Sequence, residues 1–253
     1  MTARGARAAA SLRLRAADLR DALSSNGRDP LVPPRRLAGY VGDSDFRSTG
    51  EEFLGHFIAL GGLTHTDRVL EIGCGIGRMA RPLVSVLRPP GSYDGFDVVA
   101  AGIDWCRQRY VGTPAPFRFV HADLRNAAYN RDGRAAAEEY RFPWEDGSFD
   151  FVLATSLFTH VLEATADRYL AEAARVLAPG GRLLTTWLLL GGGAPTSLHR
   201  LDGRPVAVAD PAVPEDAVAY DPAWVLERLA AHGLDDPAIH RGLSAQDIIV
   251  VER

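Results

Sequence analysis

Apolar positions along the chain switch between two periods. In "EEFLGHFIALGGL" (51–63), Phe53, Leu54, Phe57, Ile58 and Leu60 recur three and four residues apart, which predicts an amphipathic helix. Strand-length apolar runs then alternate with helical patterns. Strands are predicted at 68–73, 92–99, 117–123, 149–156 and 182–190, and helices at 77–87, 101–111 and 164–177. Pro82 inside the first of these helices predicts a kink or a late start. Pro179-Gly180-Gly181 closes the third. A last helix at 221–233, with Gly233 as its C′ residue, precedes two short strands at 237–242 and 246–252. Such alternation is the signature of a parallel sheet with crossover helices.

The segments between these elements set the domain plan. Residues 1–49 read as a lead-in or cap, with a loosely amphipathic helix in "SLRLRAADLRDAL" (11–23), and residues 50–253 as one domain. The connections 124–147 and 191–221 are too long for plain turns and are expected to be substrate loops.

Bulk composition narrows the function. A chain of 253 residues suits one α/β domain plus a cap. A net charge of −4 argues against a nucleic-acid partner. The basic residues are all arginine, a trait of genomic base composition that carries no functional meaning here. Cys74 and Cys106 form neither a metal motif nor an expected disulfide, which fits a reducing cytoplasm. No apolar run approaches the ~18 residues of a membrane span. The arginine-rich first twenty residues lead into no signal-peptide core, so secretion is not expected.

The candidate chemistry begins at "VLEIGCGIGR" (69–78). Glycine stands at 73, 75 and 77, where a loop could cradle a dinucleotide pyrophosphate or let S-adenosylmethionine lie on bare backbone. The dinucleotide fingerprint Gly-x-Gly-x-x-Gly would put its third glycine at 78, which is arginine. Glu71 at the strand end would repel a pyrophosphate and suits the ammonium of a methionine moiety. Asp97 lies 26 residues further on and Asp123 another 26, each ending a predicted strand. Asp97 would accept hydrogen bonds from ribose hydroxyls. Asp123 would accept from an adenine amino group, with the Leu124 amide donating to a ring nitrogen. Taken singly, each acid could equally be a solvated turn residue or a helix cap.

Together these residues resemble a class I S-adenosylmethionine-dependent methyltransferase. The resemblance rests on "VLEIGCGIGR", "GFDVV", "HADLRN", "FDFVLATSLFTHV" and "RYLAEAARVLAPGGRLLTTW", and covers residues 50–190 most strongly. It implies an α/β, doubly wound, seven-stranded, mostly parallel sheet with one antiparallel strand. It also implies methyl transfer by in-line attack on a sulfonium carbon. The cofactor set is then Glu71, Gly73, Cys74, Gly75, Gly77, Asp97, Val98, Asp123, Leu124, Thr155 and Ser156. Thr155-Ser156-Leu157-Phe158 departs from the Pro-Pro motif of base amino-methylases, and neither cysteine follows a proline as in cytosine methylases. Thr155 also replaces the aspartate of the catechol-type metal enzymes, so no metal is expected.

His160, just past the fourth strand, is the candidate general base. Tyr129, Phe158 and His199 are candidates for the acceptor pocket, as are Trp144 and Trp187, although core packing is the commoner fate of such aromatics. Tyr40, Asp45 and Phe46 are candidates for the methionine end. The expected acceptor is a small or glycan-like molecule, and the expected state a monomer or homodimer. A nicotinamide oxidoreductase, a nucleic-acid methyltransferase and a non-catalytic relative are the competing readings.

Overall fold

The computed structural model describes residues 18, 29–39, 44–191, 197–243 and 246–253. Tyr40 and, apart from Asp18, the helix expected at 11–23 lie outside the described residues. The main sheet contains β1 (Arg68–Ile72), β2 (Ser92–Asp97), β3 (Phe117–His121), β4 (Phe149–Ala154), β5 (Leu177–Trp187), β9 (Ala238–Leu243) and β10 (Gln246–Glu252). Their spatial order is β3-β2-β1-β4-β5-β10-β9. The pairings from β3 to β5 are parallel, and β10 runs antiparallel to both its neighbours. This is the sheet that the resemblance implied.

Alternation along each strand sends side chains to two cores. Val69, Phe151, Leu153 and Leu184 pack on one face with Phe53, Phe57, Leu83 and Ile103. Those partners come from α2 (Phe46–Ala59), α3 (Ala80–Val86) and α4 (Ala100–Arg109). Leu70, Ile72, Val152 and Leu183 face the other core, which receives Leu170 and Leu229 from α5 (Glu163–Val176) and α6 (Pro222–Ala231). A short α1 (Arg35–Ala38) precedes them all. Helices thus cover both faces of the sheet, as its parallel strands require.

Local chemistry explains the boundaries. α2 starts at Phe46, five residues ahead of the apolar pattern, because the Asp45 carboxylate accepts from the Ser48 amide at 2.8 Å. The first crossover helix starts late, at Ala80, which places Pro82 in its first turn, where proline is tolerated. Pro179-Gly180-Gly181 is a bulge inside β5 rather than a turn ahead of it. The partner of Phe149 is Leu177 and that of Phe151 is Arg182, so the extra residues loop out. Gly180 supplies the left-handed backbone there, with φ +74°.

The expected loop at 191–221 carries structure that the pattern did not announce. β6 (His199–Arg200), β7 (Val206–Val208) and β8 (Val218–Tyr220) form a small antiparallel sheet. A 3₁₀ turn at Pro214–Asp216 lies within it. Tyr220 roots this insertion in the core by donating from its hydroxyl to the Val161 carbonyl at 2.6 Å.

Candidate functional site

Strand order reverses between β1 and β4, and crevices form at the carboxyl ends of strands beside such a switch point. A cavity of about 630 Å³ opens there, a volume that suits a ligand of cofactor size. Glu71 and Gly73 from the end of β1, Asp97 and Val98 from the end of β2, and Thr155 and Ser156 after β4 line it. Cys74 and Gly75 complete the glycine loop on its wall. Gly73 and Gly75 hold φ of +76° and +54°, the left-handed region that lets the chain turn sharply under the cavity.

Of the carboxylates beside the glycine loop, Glu71 is buried and Asp97 half-buried. Glu71 accepts a hydrogen bond from the Tyr93 hydroxyl at 2.5 Å, and burial pushes its pKa up to about 8, against the opposing pull of Tyr93 and the Arg78 guanidinium. Asp97 accepts from the Gly75 amide at 2.8 Å through one oxygen and from the Val99 amide at 2.8 Å through the other. Burial raises its pKa, while these amides oppose the rise. The Val98 amide is a third backbone donor to this carboxylate, whose four lone-pair sites leave room for a further donor. Cys74 turns its side chain into the core, and burial raises its thiol pKa well above the ordinary range, so it presents backbone to the cavity.

The far wall gathers residues from remote segments. His160 ends the 3₁₀ turn Phe158–His160, and its Nδ1 lies 3.2 Å from the Glu215 carbonyl oxygen. Its Nε2 lies 3.4 Å from the Tyr129 hydroxyl, with the two rings edge to face. Burial lowers the His160 pKa, which keeps the ring neutral. Asn126 donates to the His160 carbonyl at 2.8 Å, and the Glu215 carboxylate accepts from the Ala127 amide. Gln246, from the start of β10, donates to the Ser156 hydroxyl at 3.0 Å and accepts from Thr186 at 2.6 Å. Thr186 in turn accepts from the Ser156 amide at 2.7 Å. This triangle holds Ser156 at φ +56°, a strained value for a residue with a side chain.

Several expected residues stand elsewhere. Gly77 is needed for packing, since a Cβ there would meet the Tyr110 hydroxyl at 2.8 Å and Cys106 Sγ at 3.1 Å. Asp123 turns to Arg134 at 2.5 Å and to Asn130 at 3.3 Å, and these partners lower its pKa. The Leu124 amide donates to the Ala122 carbonyl at 2.7 Å, so the pair expected at an adenine ring is occupied locally. Phe158 is stacked on Trp187 with centroids 4.0 Å apart and lies in the core, not on the wall. His199 is exposed on β6 and does not line the cavity. The Trp144 indole faces Asp94, and Asp45 caps α2 while its neighbour Ser44 reaches the cavity.

The sequence reading missed Glu52, Asn126, Tyr169, Glu215 and Gln246, all on the wall. Asn126 lies within "HADLRN" and Tyr169 within "RYLAEAARVLAPGGRLLTTW", but the resemblance assigns neither a role, while Glu52, Glu215 and Gln246 lie outside the five motifs. The tertiary fold brings all five to one wall, Glu52 from the helix Phe46–Ala59 that the apolar pattern announced. Among the described residues, no group of three or more His, Cys, Asp or Glu side chains is arranged to hold a metal ion.

Residues 70–185 match the model of a methyltransferase domain family. A phthiotriol/phenolphthiotriol dimycocerosates methyltransferase of Mycobacterium ulcerans is 39% identical over 130 residues, which are 49% of this chain and 40% of that protein. A fatty-acid O-methyltransferase of Mycolicibacterium smegmatis is 36% identical over 119 residues, 47% of this chain and 36% of its own length. The chain thus spans well under half the length of these curated relatives. Among solved structures, 1,6-didemethyltoxoflavin-N1-methyltransferase of Burkholderia thailandensis superimposes with a TM-score of 0.53 at 17% identity, covering 94% of this chain and 88% of that one. A Methanosarcina mazei methyltransferase gives 0.53 at 19%, covering 78% and 96%. These likenesses concern the fold.

Proposed function

We propose, from the match of residues 70–185 to a methyltransferase domain family and from the class I order of the sheet, that the protein is an S-adenosylmethionine-dependent methyltransferase acting on a small-molecule or lipid acceptor. One observation carries the reading. Two carboxylates, the buried Glu71 and the half-buried Asp97, share the wall of one 630 Å³ cavity above a glycine loop. That pair of acceptors fits a ligand with an ammonium group and vicinal hydroxyls, which donate. It disfavours a pyrophosphate, which would meet the Glu71 and Asp97 carboxylates at the end of the glycine loop.

In this reading Glu71 takes the ammonium of S-adenosylmethionine and Asp97 the ribose hydroxyls. Val98 and Val99 border the base, and the turn at Thr155-Ser156 carries the methyl-bearing end. When bound, that molecule supplies an electrophilic methyl group on a sulfonium. The chain's own contribution is to align an acceptor with that carbon and to exclude water. His160 is the general base where the acceptor arrives protonated. The lead-in before residue 50 acts as a cap, since Ser44 and Thr49 reach the wall, and segments 124–147 and 199–220 shape the acceptor side. The lipid acceptors named for the two mycobacterial relatives favour a lipid over a glycan-like molecule. The same reading has a monomer or homodimer acting in the cytoplasm with its buried cysteines reduced. No helix among the described residues is long and apolar enough to cross a membrane.

Thermal unfolding tests the cofactor assignment. S-adenosylmethionine or S-adenosylhomocysteine at ~100 times its dissociation constant adds roughly 2.7 kcal/mol and raises Tm by a few degrees. NAD does not, and Asp97→Ala loses the response. Stabilisation by NAD alone would overturn the reading.

A further inference from the structure

The acceptor side of the cavity specifies the kind of atom that is methylated, an inference that rests on the reading above. His160 meets a carbonyl at Nδ1 and a phenol at Nε2. A carbonyl oxygen only accepts, so the proton sits on Nδ1 and the lone pair on Nε2, facing Tyr129. Both side chains line the cavity. Burial raises the pKa of the Tyr129 phenol, which therefore keeps its proton and serves as a donor rather than a base. The titratable groups around the imidazole are Tyr129, Glu215 and Asp216, and the Tyr129 phenol in turn faces the Asp97 carboxylate and the Arg78 guanidinium.

We propose that Tyr129 and His160 form a proton relay that serves a hydroxyl acceptor, so that the product is a methyl ether. The substrate O–H donates to Tyr129 Oη while the Tyr129 O–H donates to His160 Nε2. The substrate oxygen forms a bond to the methyl carbon as the carbon–sulfur bond breaks, and the electron pair of that bond passes to sulfur. The hydroxyl proton moves to Tyr129, the Tyr129 proton moves to Nε2, and an imidazolium is left to discharge to water.

The chemistry of the pair separates the possible nucleophiles. A carboxylate is already ionised and needs no base, so the relay would have no proton to take from it. An alkylammonium has no lone pair until it is deprotonated, a task beyond a weakly basic imidazole. A hydroxyl has lone pairs from the start, and its proton becomes strongly acidic only as the new bond forms. A neutral, weakly basic acceptor suits that moment.

Two measurements on the full chain decide this. In the first, ¹⁵N NMR of protein saturated with S-adenosylhomocysteine, with His160→Gln assigning the signal, shows a neutral His160 protonated at Nδ1 at pH 7.5. Tyr129→Phe shifts its Nε2 resonance. A ring protonated at Nε2, or an imidazolium at that pH, overturns the relay.

In the second, ¹³C-methyl-labelled S-adenosylmethionine is incubated with the protein and a lipid extract of the source organism. The methyl carbon shift in the product identifies an ether, an ester or an amine. An ether supports the proposal, and an ester or amine overturns it while leaving the methyltransferase reading intact. His160→Gln and Tyr129→Phe each lower kcat on that product about 10²–10⁴-fold and leave S-adenosylhomocysteine affinity unchanged. The double variant falls no further, because the pair acts as a unit. Independent, multiplying losses overturn the relay. If S-adenosylhomocysteine fails to bind, the cofactor reading falls instead.

Discussion

Glu71 shows how one side chain couples ligand, proton and stability. Its carboxyl ionises near 4.5 when exposed and at about 8 in the folded chain. Between those values the unfolded state has lost the proton that the folded state keeps. The residue therefore works increasingly against folding as pH rises from about 4.5 to about 8, after which its effect levels off. Glu71→Gln keeps an acceptor for Tyr93 and removes the charge, so it gains Tm relative to wild type, and gains more at pH 9 than at pH 5. Ligand binding feels the same proton. Below pH 8 capture of an ammonium ionises Glu71 and releases a proton, which calorimetry in buffers of differing ionisation enthalpy reads directly; Glu71→Gln loses that release. At this scale the sequence was informative where a residue's role follows from its strand. Glu71 and Asp97 end adjacent strands, so position alone put them on the cavity wall. Asp123 ends the next strand but has Arg134 and Asn130 within reach, and no spacing rule reports such local partners.

Among the elements, those with a regular period were legible and the insertion was not. Its strands are two or three residues long, too short for alternation to register, and they hold their place through β-pairing and Tyr220. Gln246 and Thr186 were invisible for a related reason. They lie 60 residues apart and meet only because β10 pairs with β5. Thr186→Val removes the acceptor of the Ser156 amide and the donor to Gln246. The expected result is a loss of about 1–3 kcal/mol in denaturant unfolding, together with weaker S-adenosylhomocysteine binding. Trp187→Ala removes the partner of Phe158 from the core and costs about 3–5 kcal/mol, with far less influence on ligand affinity for whatever protein remains folded.

Across the whole molecule, binding and stability sit at opposite ends of the strands. The cavity lies at the carboxyl ends. At the amino ends Arg68 grips Asp150 through two side-chain bonds of 2.9 and 2.7 Å, and Arg182 reaches Asp67 at 2.5 Å. Arg68 holds the Asp150 carboxyl below its ordinary pKa. Asp150→Ala should lower stability by about 1 kcal/mol, a charge-assisted pair discounted for its partial exposure, and leave S-adenosylhomocysteine affinity unchanged. A large change in affinity would contradict this separation. The order of the strands has a consequence in time as well as in space. β10 is the last strand of the sheet to leave the ribosome, yet its place is inside the sheet, between β5 and β9. Until it arrives, β5 is a bare edge with half its backbone unpaired, and Ser156 lacks the glutamine that holds its turn. A ribosome-bound chain truncated before residue 246 would thus be unable to grip its ligand, and the cavity would close around a cofactor only once β10 has emerged and paired with β5.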